Sequence, residues 1–124
     1  MTLTKSITTT VSSQTIATSS EYTLGSCTWV DCSEAVIGHA QAIVTYSTLG
    51  TTGAICRIYA SPDGSTYDYS AVDQFTLPFA SSSIARMWSK AFVPSAKYHT
   101  ATIYNPDTTN MTLCTAKITI QKST

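Results

Sequence analysis

The stretch that decides the fold of this chain is residues 55–69, which read ICRIYASPDGSTYDY. Polar and apolar side chains alternate over its first half. Alternation with a period of two places successive side chains on opposite faces of a strand, so it predicts a β-strand with one buried face. The buried face would carry Cys56, Ile58 and Ala60, and the opposite face Arg57 and Tyr59.

This strand leads into the sequence Ser61-Pro62-Asp63-Gly64, which is typical of a tight turn. Proline presets φ to about −65°, and glycine adopts a positive φ without steric cost. The residues after the turn carry Tyr67 and predict a returning strand. A strand, a tight reversal and a returning strand together indicate antiparallel β structure.

The rest of the chain repeats this alternating pattern. Further runs lie at residues 36–48, 83–93, 97–105 and 111–121, and shorter ones lie between residues 20 and 32. No window places apolar residues at helical spacing. About eight strands separated by turn residues predict an all-β fold, an antiparallel two-sheet β-sandwich of the jelly-roll type.

The composition narrows the classes of partner. Charged residues make up 11% of the 124 residues, and seven basic side chains balance seven acidic ones. A protein that binds nucleic acid normally has a basic excess, because it displaces counterions from phosphates, so no nucleic-acid partner is predicted. A neutral surface with few charges gives little repulsion between copies, which favours a homo-oligomer or a subunit of an assembly.

The N-terminal residues 1–20 are rich in serine and threonine. Their large apolar residues are Leu3, Ile7, Val11 and Ile16. Alternation in this segment predicts a strand that would be marginal alone. Two placements stay open: an edge strand of its own sheet, or an arm that pairs with a neighbouring subunit. We therefore divide the chain into an arm or edge strand, residues 1–20, and a sandwich domain, residues 21–124.

No segment has the pattern typical of export or membrane insertion. Residues 1–10, MTLTKSITTT, lack the apolar core of a secretory signal. No apolar run approaches the roughly 20 residues of a membrane-spanning helix. The sequence predicts synthesis in a cytoplasm and no membrane partner.

The four cysteines are Cys27, Cys32, Cys56 and Cys114. In a reducing cytoplasm cysteines are usually free and often buried. Cys56 and Cys114 lie on the apolar faces of alternating runs, which favours free thiols in the core. At least one disulfide is the alternative.

No constellation of residues indicates catalysis. Cys27 and Cys32 lie close in sequence to His39, but a structural zinc site usually needs a second close pair of ligands. His39 and His99 are the two histidines, and neither lies beside a nucleophile motif. The sequence predicts a protein that is not an enzyme, with no catalytic residue, no metal and no cofactor.

A calcium site is a weaker alternative. Asp63, Asp68 and Asp73 recur around one loop. They lack the ligand spacing of a calcium-binding loop, and Asp63 and Asp107 fit turns, where aspartate binds its own backbone.

The aromatic residues suggest a different kind of site. Tyr67 and Tyr69 flank Asp68 just beyond the turn, and Trp88 lies in a later strand. Exposed aromatic rings can stack on sugars, so these three residues would form the platform of a carbohydrate-binding module. A glycan ligand is therefore the alternative to a purely structural role.

Part of this pattern resembles discoidin-like jelly rolls. The run from Tyr59 to Tyr67, YASPDGSTY, is followed by Ala96-Lys97-Tyr98 and a strand that ends near Asn105. The resemblance implies a jelly-roll fold. Discoidin domains usually carry an arginine shortly after that tyrosine, where this chain has His99-Thr100.

The whole chain also resembles small β-sandwich proteins of tailed-phage particles. The features in common are the Ser/Thr-rich N-terminal segment, the strand at Trp29-Val30-Asp31, the YASPDGSTY run and a polar C-terminal strand. The resemblance implies a virion structural protein, of the capsid-decoration or head or tail accessory kind. Such proteins stabilise the particle by binding copies of themselves and other virion proteins.

Overall fold

The computed structural model describes residues 3–46, 53–77 and 85–123. In these ranges the chain forms nine strands and one short 3-10 turn, Leu24–Ser26. The strands are β1 (Leu3–Ile16), β2 (Ser20–Glu21), β3 (Val30–Asp31), β4 (Ala35–Tyr46), β5 (Ile55–Ser61), β6 (Asp73–Thr76), β7 (Ala85–Phe92), β8 (Tyr98–Asn105) and β9 (Met111–Ser123).

These strands form two sheets in which every pair is antiparallel. The first sheet has the order β1-β9-β4-β7. The second has the order β2-β8-β5-β6. Strand β3 pairs with the start of β8, at Tyr98 and His99, whereas β2 pairs with its end. The prediction of an all-β, antiparallel two-sheet sandwich is confirmed.

The core lies between the two sheets and follows the alternation of the sequence. The inner face of β4 carries Ala40, Ala42 and Val44. The inner face of β5 carries Cys56, Ile58 and Ala60, the three residues predicted to be buried. One hydrophobic cluster joins these residues to Ile103 of β8 and Ile118 of β9.

The outer faces of the two sheets differ. On the first sheet, Gln41 is half-buried and Lys117 is exposed. On the second sheet, the segment 22–29 lies over β8: Thr100 Oγ1 donates to the Thr28 carbonyl and Thr102 Oγ1 to the Tyr22 carbonyl, both at 2.7 Å. Both threonines are fully buried, so β8 is a central strand covered on both faces.

The tight hairpin predicted after β5 is wrong. The returning strand is β6, which pairs Ile58 with Asp73, and the loop between them spans residues 62–72. Asp63 Oδ1 accepts the backbone N–H groups of Ser65 (2.9 Å) and Thr66 (2.7 Å). These N–H groups are occupied within the loop, so they cannot continue the ladder of β5. Gly64 has a φ of 82°, as the turn pattern predicted.

The N-terminal segment forms strand β1, which pairs with β9 from Leu3 opposite Ser123 to Ile16 opposite Met111. The register shifts after Thr9, and from there the strand bends over the core. Val11 and Ile16 are buried in the core, whereas Leu3 and Ile7 are exposed. Of the two placements left open by the sequence, the structure has this segment at the edge of its own sheet.

Candidate functional site: the two edges of the first sheet

The first edge is β1, which ends the first sheet on one side. From Thr10 onward β1 is tied to the second sheet, because the Thr10 carbonyl accepts from Thr28 N at 3.3 Å and Thr10 Oγ1 donates to the Ala101 carbonyl at 2.7 Å. The part from Leu3 to Thr9 pairs with β9 on one side only. A strand at a sheet edge directs a row of backbone N–H and C=O groups outward, where another strand can pair with them.

The side chains of this free segment add apolar area to the edge. Ile7 lies opposite Thr119 and Lys5 opposite Gln121, so both lie on the outer face of the sheet. Leu3, two residues before Lys5, shares that face. Leu3 is 53% exposed and Ile7 68% exposed. The free segment therefore presents two apolar side chains with one lysine between them.

The second edge is β7, which ends the same sheet on the other side in the part of the chain that the structure describes. A groove of about 520 Å³ lies where β7 meets the start of β4. Its lining is Val36, Ile37, Asp73, Ala91, Phe92, Val93 and Pro94. All of these are apolar except Asp73.

Phe92 and Asp73 fix the shape of this groove. The Phe92 ring packs directly over Gly38, where a Cβ atom would lie 2.4 Å from the ring. Asp73 Oδ1 accepts from Lys90 Nζ at 2.8 Å and from the backbone of Gln74. The bond from Lys90 is the main reason that the pKa of Asp73 is below its usual value. The carboxylate is therefore charged at neutral pH, at one side of an apolar groove.

The sequence did not identify this groove, although it carries a signal for it. Val36 and Ile37 are consecutive apolar residues, so they break the alternation at the start of β4 and cannot both point inward. The structure has both exposed, beside Val93, which is 78% exposed.

Between the two edges, the outer face of the first sheet is shallow and carries few charges. It holds two depressions of about 430 Å³ and 340 Å³. Their lining is Lys5, Thr9, Ser12, Ser13, Ile37, Gly38, His39, Gln41, Ile43, Ala91, Thr115, Lys117, Thr119 and Gln121. This lining contains the two ammonium groups of Lys5 and Lys117 and no carboxylate, and the rest is hydroxyl, amide, imidazole and aliphatic groups. Away from the two lysines, such a surface can pack against another protein at little desolvation cost.

The three residues of the predicted aromatic platform do not share one environment. Tyr67 stacks on Trp29, with ring centroids 5.5 Å apart and an interplanar angle of 20°. Tyr69 is fully exposed on the same loop. The side chain of Trp88 lies outside the described part of the structure. Tyr67 therefore packs against the segment that covers the second sheet, and Tyr69 offers a free ring.

A polar cluster on the second sheet fastens β2 in place. Glu21 Oε1 lies 3.0 Å from Arg57 Nη1, and Tyr59 donates its hydroxyl to Glu21 Oε2 at 3.2 Å. The Arg57 guanidinium lies 4.4 Å from the centre of the Tyr104 ring. Burial, and then the charge of Glu21, raises the pKa of Tyr59. We assign these contacts a structural role, because they join β2, β5 and β8.

The four cysteines are buried and free. Burial raises the pKa of the Cys32 thiol to about 11 and that of Cys114 to about 12. It also raises the pKa values of Cys27 and Cys56. All four are therefore protonated at neutral pH, a state that neither attacks substrates nor binds metals well.

The described residues contain no group of three or more His, Cys, Asp or Glu side chains placed to hold a metal ion. Two of the aspartates considered for calcium have other partners: Asp63 binds the backbone of its own loop, and Asp73 binds Lys90. The same described residues include no helix long and apolar enough to cross a bilayer.

No known protein family matches the sequence, and neither does any curated protein. Solved structures do match the fold. PRD1 vertex protein P5 matches with a TM-score of 0.54 and 10% sequence identity, over 98% of this chain and 96% of that protein. The SPBc2 prophage-derived protein YomS has a TM-score of 0.50 and 11% identity, over 98% and 96%.

A third match comes from the Bacillus endospore appendages, described as a family of disulfide-linked pili. Its TM-score is 0.50 and its identity 15%, over 98% of this chain and 88% of that one. At such identities these matches establish a shared fold along almost the whole chain.

Proposed function

We propose that this chain is a non-enzymatic structural subunit of a virion, of the capsid-decoration or head or tail accessory kind. The observation that carries the proposal is the free Leu3–Thr9 edge of β1, which joins a sheet face with few charges. The fold shared with a phage vertex protein and with pilus subunits supports it, because both names denote parts of assemblies. The order of the strands in the two sheets is consistent with the jelly-roll interpretation.

The subunit would act by adding strands across subunit boundaries. An edge strand binds a partner strand through main-chain hydrogen bonds, and its alternate side chains fill pockets that give specificity. In β1 the backbone from Leu3 to Thr9 would supply the hydrogen bonds, and Leu3 and Ile7 the apolar contacts. The partners would be copies of this chain and other virion proteins in the particle, after synthesis in the host cytoplasm.

Light scattering after size exclusion, over a wide range of protein concentration, tests this proposal. The wild-type mass should exceed that of a monomer and rise with concentration. Ile7→Lys places a charge on the free edge and should lower the mass, while Leu113→Lys, at an equally exposed residue of β9, should not. Wild-type protein that stays monomeric at every concentration would contradict self-association.

Deletion of β1 is a poor test of this edge. Val11 and Ile16 are core residues, and β9 would lose the strand that pairs with it on one side. A truncated protein would lose its fold together with its edge. Single substitutions at exposed positions separate the two effects.

A carbohydrate-binding module is the second candidate, favoured by the full exposure of Tyr69. A free tyrosine ring on a loop can stack on a sugar ring. Titration with oligosaccharides should then show saturable binding that Tyr69→Ala removes. Tyr67→Ala is the matched variant. Because Tyr67 packs on Trp29, Tyr67→Ala should lower the stability of the fold, whereas Tyr69→Ala should not. No binding to any oligosaccharide would remove this candidate.

A further inference from the structure

We infer that the β1 edge of one copy pairs with the β7 edge of a second copy, so that first sheets join side by side in one direction. The inference rests on the proposed function and names the partner of its edge. It assigns Leu3, Lys5 and Ile7 to one side of the contact and the groove beside Val93 to the other.

The direction of the strands is the first argument. The first sheet has four strands, and each runs antiparallel to its neighbour. With an even number of strands, β1 and β7 run in opposite directions. A second copy moved sideways without inversion therefore places its β1 antiparallel to β7 of the first copy. The joined sheets would continue the same antiparallel pattern.

The position of residues along the strands is the second argument. Ile7 lies opposite Thr119, Thr119 opposite His39, and His39 opposite Ala91. These four residues form one row across the sheet. A sideways copy without stagger would place its Ile7 next to Ala91, on the outer face that both share.

A second row extends this match toward the start of β1. Lys5 and Ile37 both lie opposite Gln121, and Val93 directly follows the last residue of β7, Phe92. Lys5 of the second copy would therefore lie beside Ile37 and Val93 on the outer face, where its aliphatic stem can pack on the apolar groove.

Chemical complementarity is the third argument. The groove exposes Val36, Ile37 and Val93, and it contains one carboxylate. The free part of β1 carries two exposed apolar side chains and one ammonium group. The exposed apolar side chains of β1 would therefore meet the exposed apolar side chains of the groove.

A symmetric pairing of β1 with β1 is the competing arrangement. It would use the same free edge but leave the groove at β7 uncovered. The two arrangements also differ in their products. A contact between two different patches repeats, so it builds rings or filaments, whereas a symmetric contact stops at a dimer.

Two variants separate the arrangements. Ile7→Lys blocks the β1 edge, and Val93→Lys blocks the β7 groove. Both residues are mostly exposed, so neither variant should alter the fold, which circular dichroism and thermal unfolding would confirm. Leu113→Lys, at the far end of the sheet, is the control and should assemble like the wild type.

In light scattering, each blocked variant alone should lose assembly and remain a monomer. An equimolar mixture should form a dimer with one copy of each and nothing larger, because one intact β1 edge and one intact β7 groove remain. Assembly of Val93→Lys alone at wild-type mass would overturn the inference and leave the proposed function standing. A mixture that stays monomeric would also overturn the inference. A wild-type protein that never self-associates would overturn both.

Discussion

His99 illustrates how one residue can make the stability of the protein depend on pH. It is fully buried in β8, its Nε2 accepts the backbone N–H of Ala96 at 3.1 Å, and its ring lies 5.2 Å from that of Phe92. Burial lowers the pKa of His99 below the ordinary value of 6.5. The unfolded chain therefore binds a proton more readily than the folded chain.

We therefore expect the folded protein to become less stable as the pH is lowered. Where the unfolded state binds more protons, the free energy of unfolding decreases as pH decreases, here below about 6.5 and down to the lowered pKa. The urea midpoint should drop between pH 7 and pH 5, and His99→Gln should flatten that drop. His39→Gln, at an exposed position, should leave it unchanged. An equal pH dependence in His99→Gln would show that another group is responsible.

Thr10 is a second residue whose buried side chain affects stability, here through its hydroxyl group. Its Oγ1 donates to the Ala101 carbonyl at 2.7 Å and lies 3.2 Å from the Ala116 carbonyl, so one buried side chain touches both sheets. Thr10→Val keeps the shape but leaves buried carbonyls without this donor. We expect a loss of about 1–3 kcal/mol in the free energy of unfolding.

Denaturant titration measures this loss, with Thr4→Val as the control. Thr4 is an exposed residue of the same strand, and its substitution should change stability by less than about 0.5 kcal/mol. Similar effects of the two substitutions would argue against a special role for the Thr10 hydroxyl.

Strand β1 has two halves that differ in burial and in their contribution to stability. The half that contains Val11 is packed in the core, and the half that contains Ile7 is exposed. Val11→Ala removes two buried methyl groups and leaves a cavity, so it should cost about 2 kcal/mol. Ile7→Ala should cost less than about 0.5 kcal/mol. Thermal unfolding of the two variants provides the comparison, and a large loss for Ile7→Ala would mean that the edge also supports the fold.

Strands whose pattern is local could be predicted from the sequence. The runs at 36–48, 97–105 and 111–121 correspond to β4, β8 and β9, because each alternates over many residues. The predicted inner face of β5 is also the buried one. The return after β5 could not be placed, since the hydroxyl of Ser61 and the carboxylate of Asp63 bind backbone groups within the loop.

Features that depend on contacts between residues far apart in the chain could not be predicted from the sequence. The burial of Thr100 and Thr102 depends on carbonyls of Thr28 and Tyr22, which are far away in the chain. The groove at β7 needs Asp73 from the other sheet. Alternation reports which face of a strand is apolar, but it does not report what covers the other face.

For the whole molecule, the four cysteines report on cooperativity. They are distributed over the chain at positions 27, 32, 56 and 114, and all are buried. If the sandwich opens as one unit, a thiol reagent should label all four at one common rate. That rate should be at least about a thousandfold slower than in denaturant, because only the unfolded fraction reacts.

Mass spectrometry of the labelled protein distinguishes the outcomes. Populations with either no label or four labels would indicate a single cooperative unit. Early labelling of Cys27 and Cys32 alone would instead show that residues 22–32 open first. A Cys56→Ser variant, which should react at three positions, serves as the control for counting.

The pairing of β1 with β9 has a consequence during synthesis of the chain on the ribosome. Residues 17–110 separate the two strands, so a ribosome needs on the order of 5–20 s to deliver β9 after β1. Throughout that interval the nascent β1 has neither a neighbour nor a cover. A strand rich in valine would then aggregate with other chains on the same messenger RNA. The run TKSITTT carries hydroxyl groups in place of such aliphatic side chains, so we expect β1 to stay hydrated until β9 emerges.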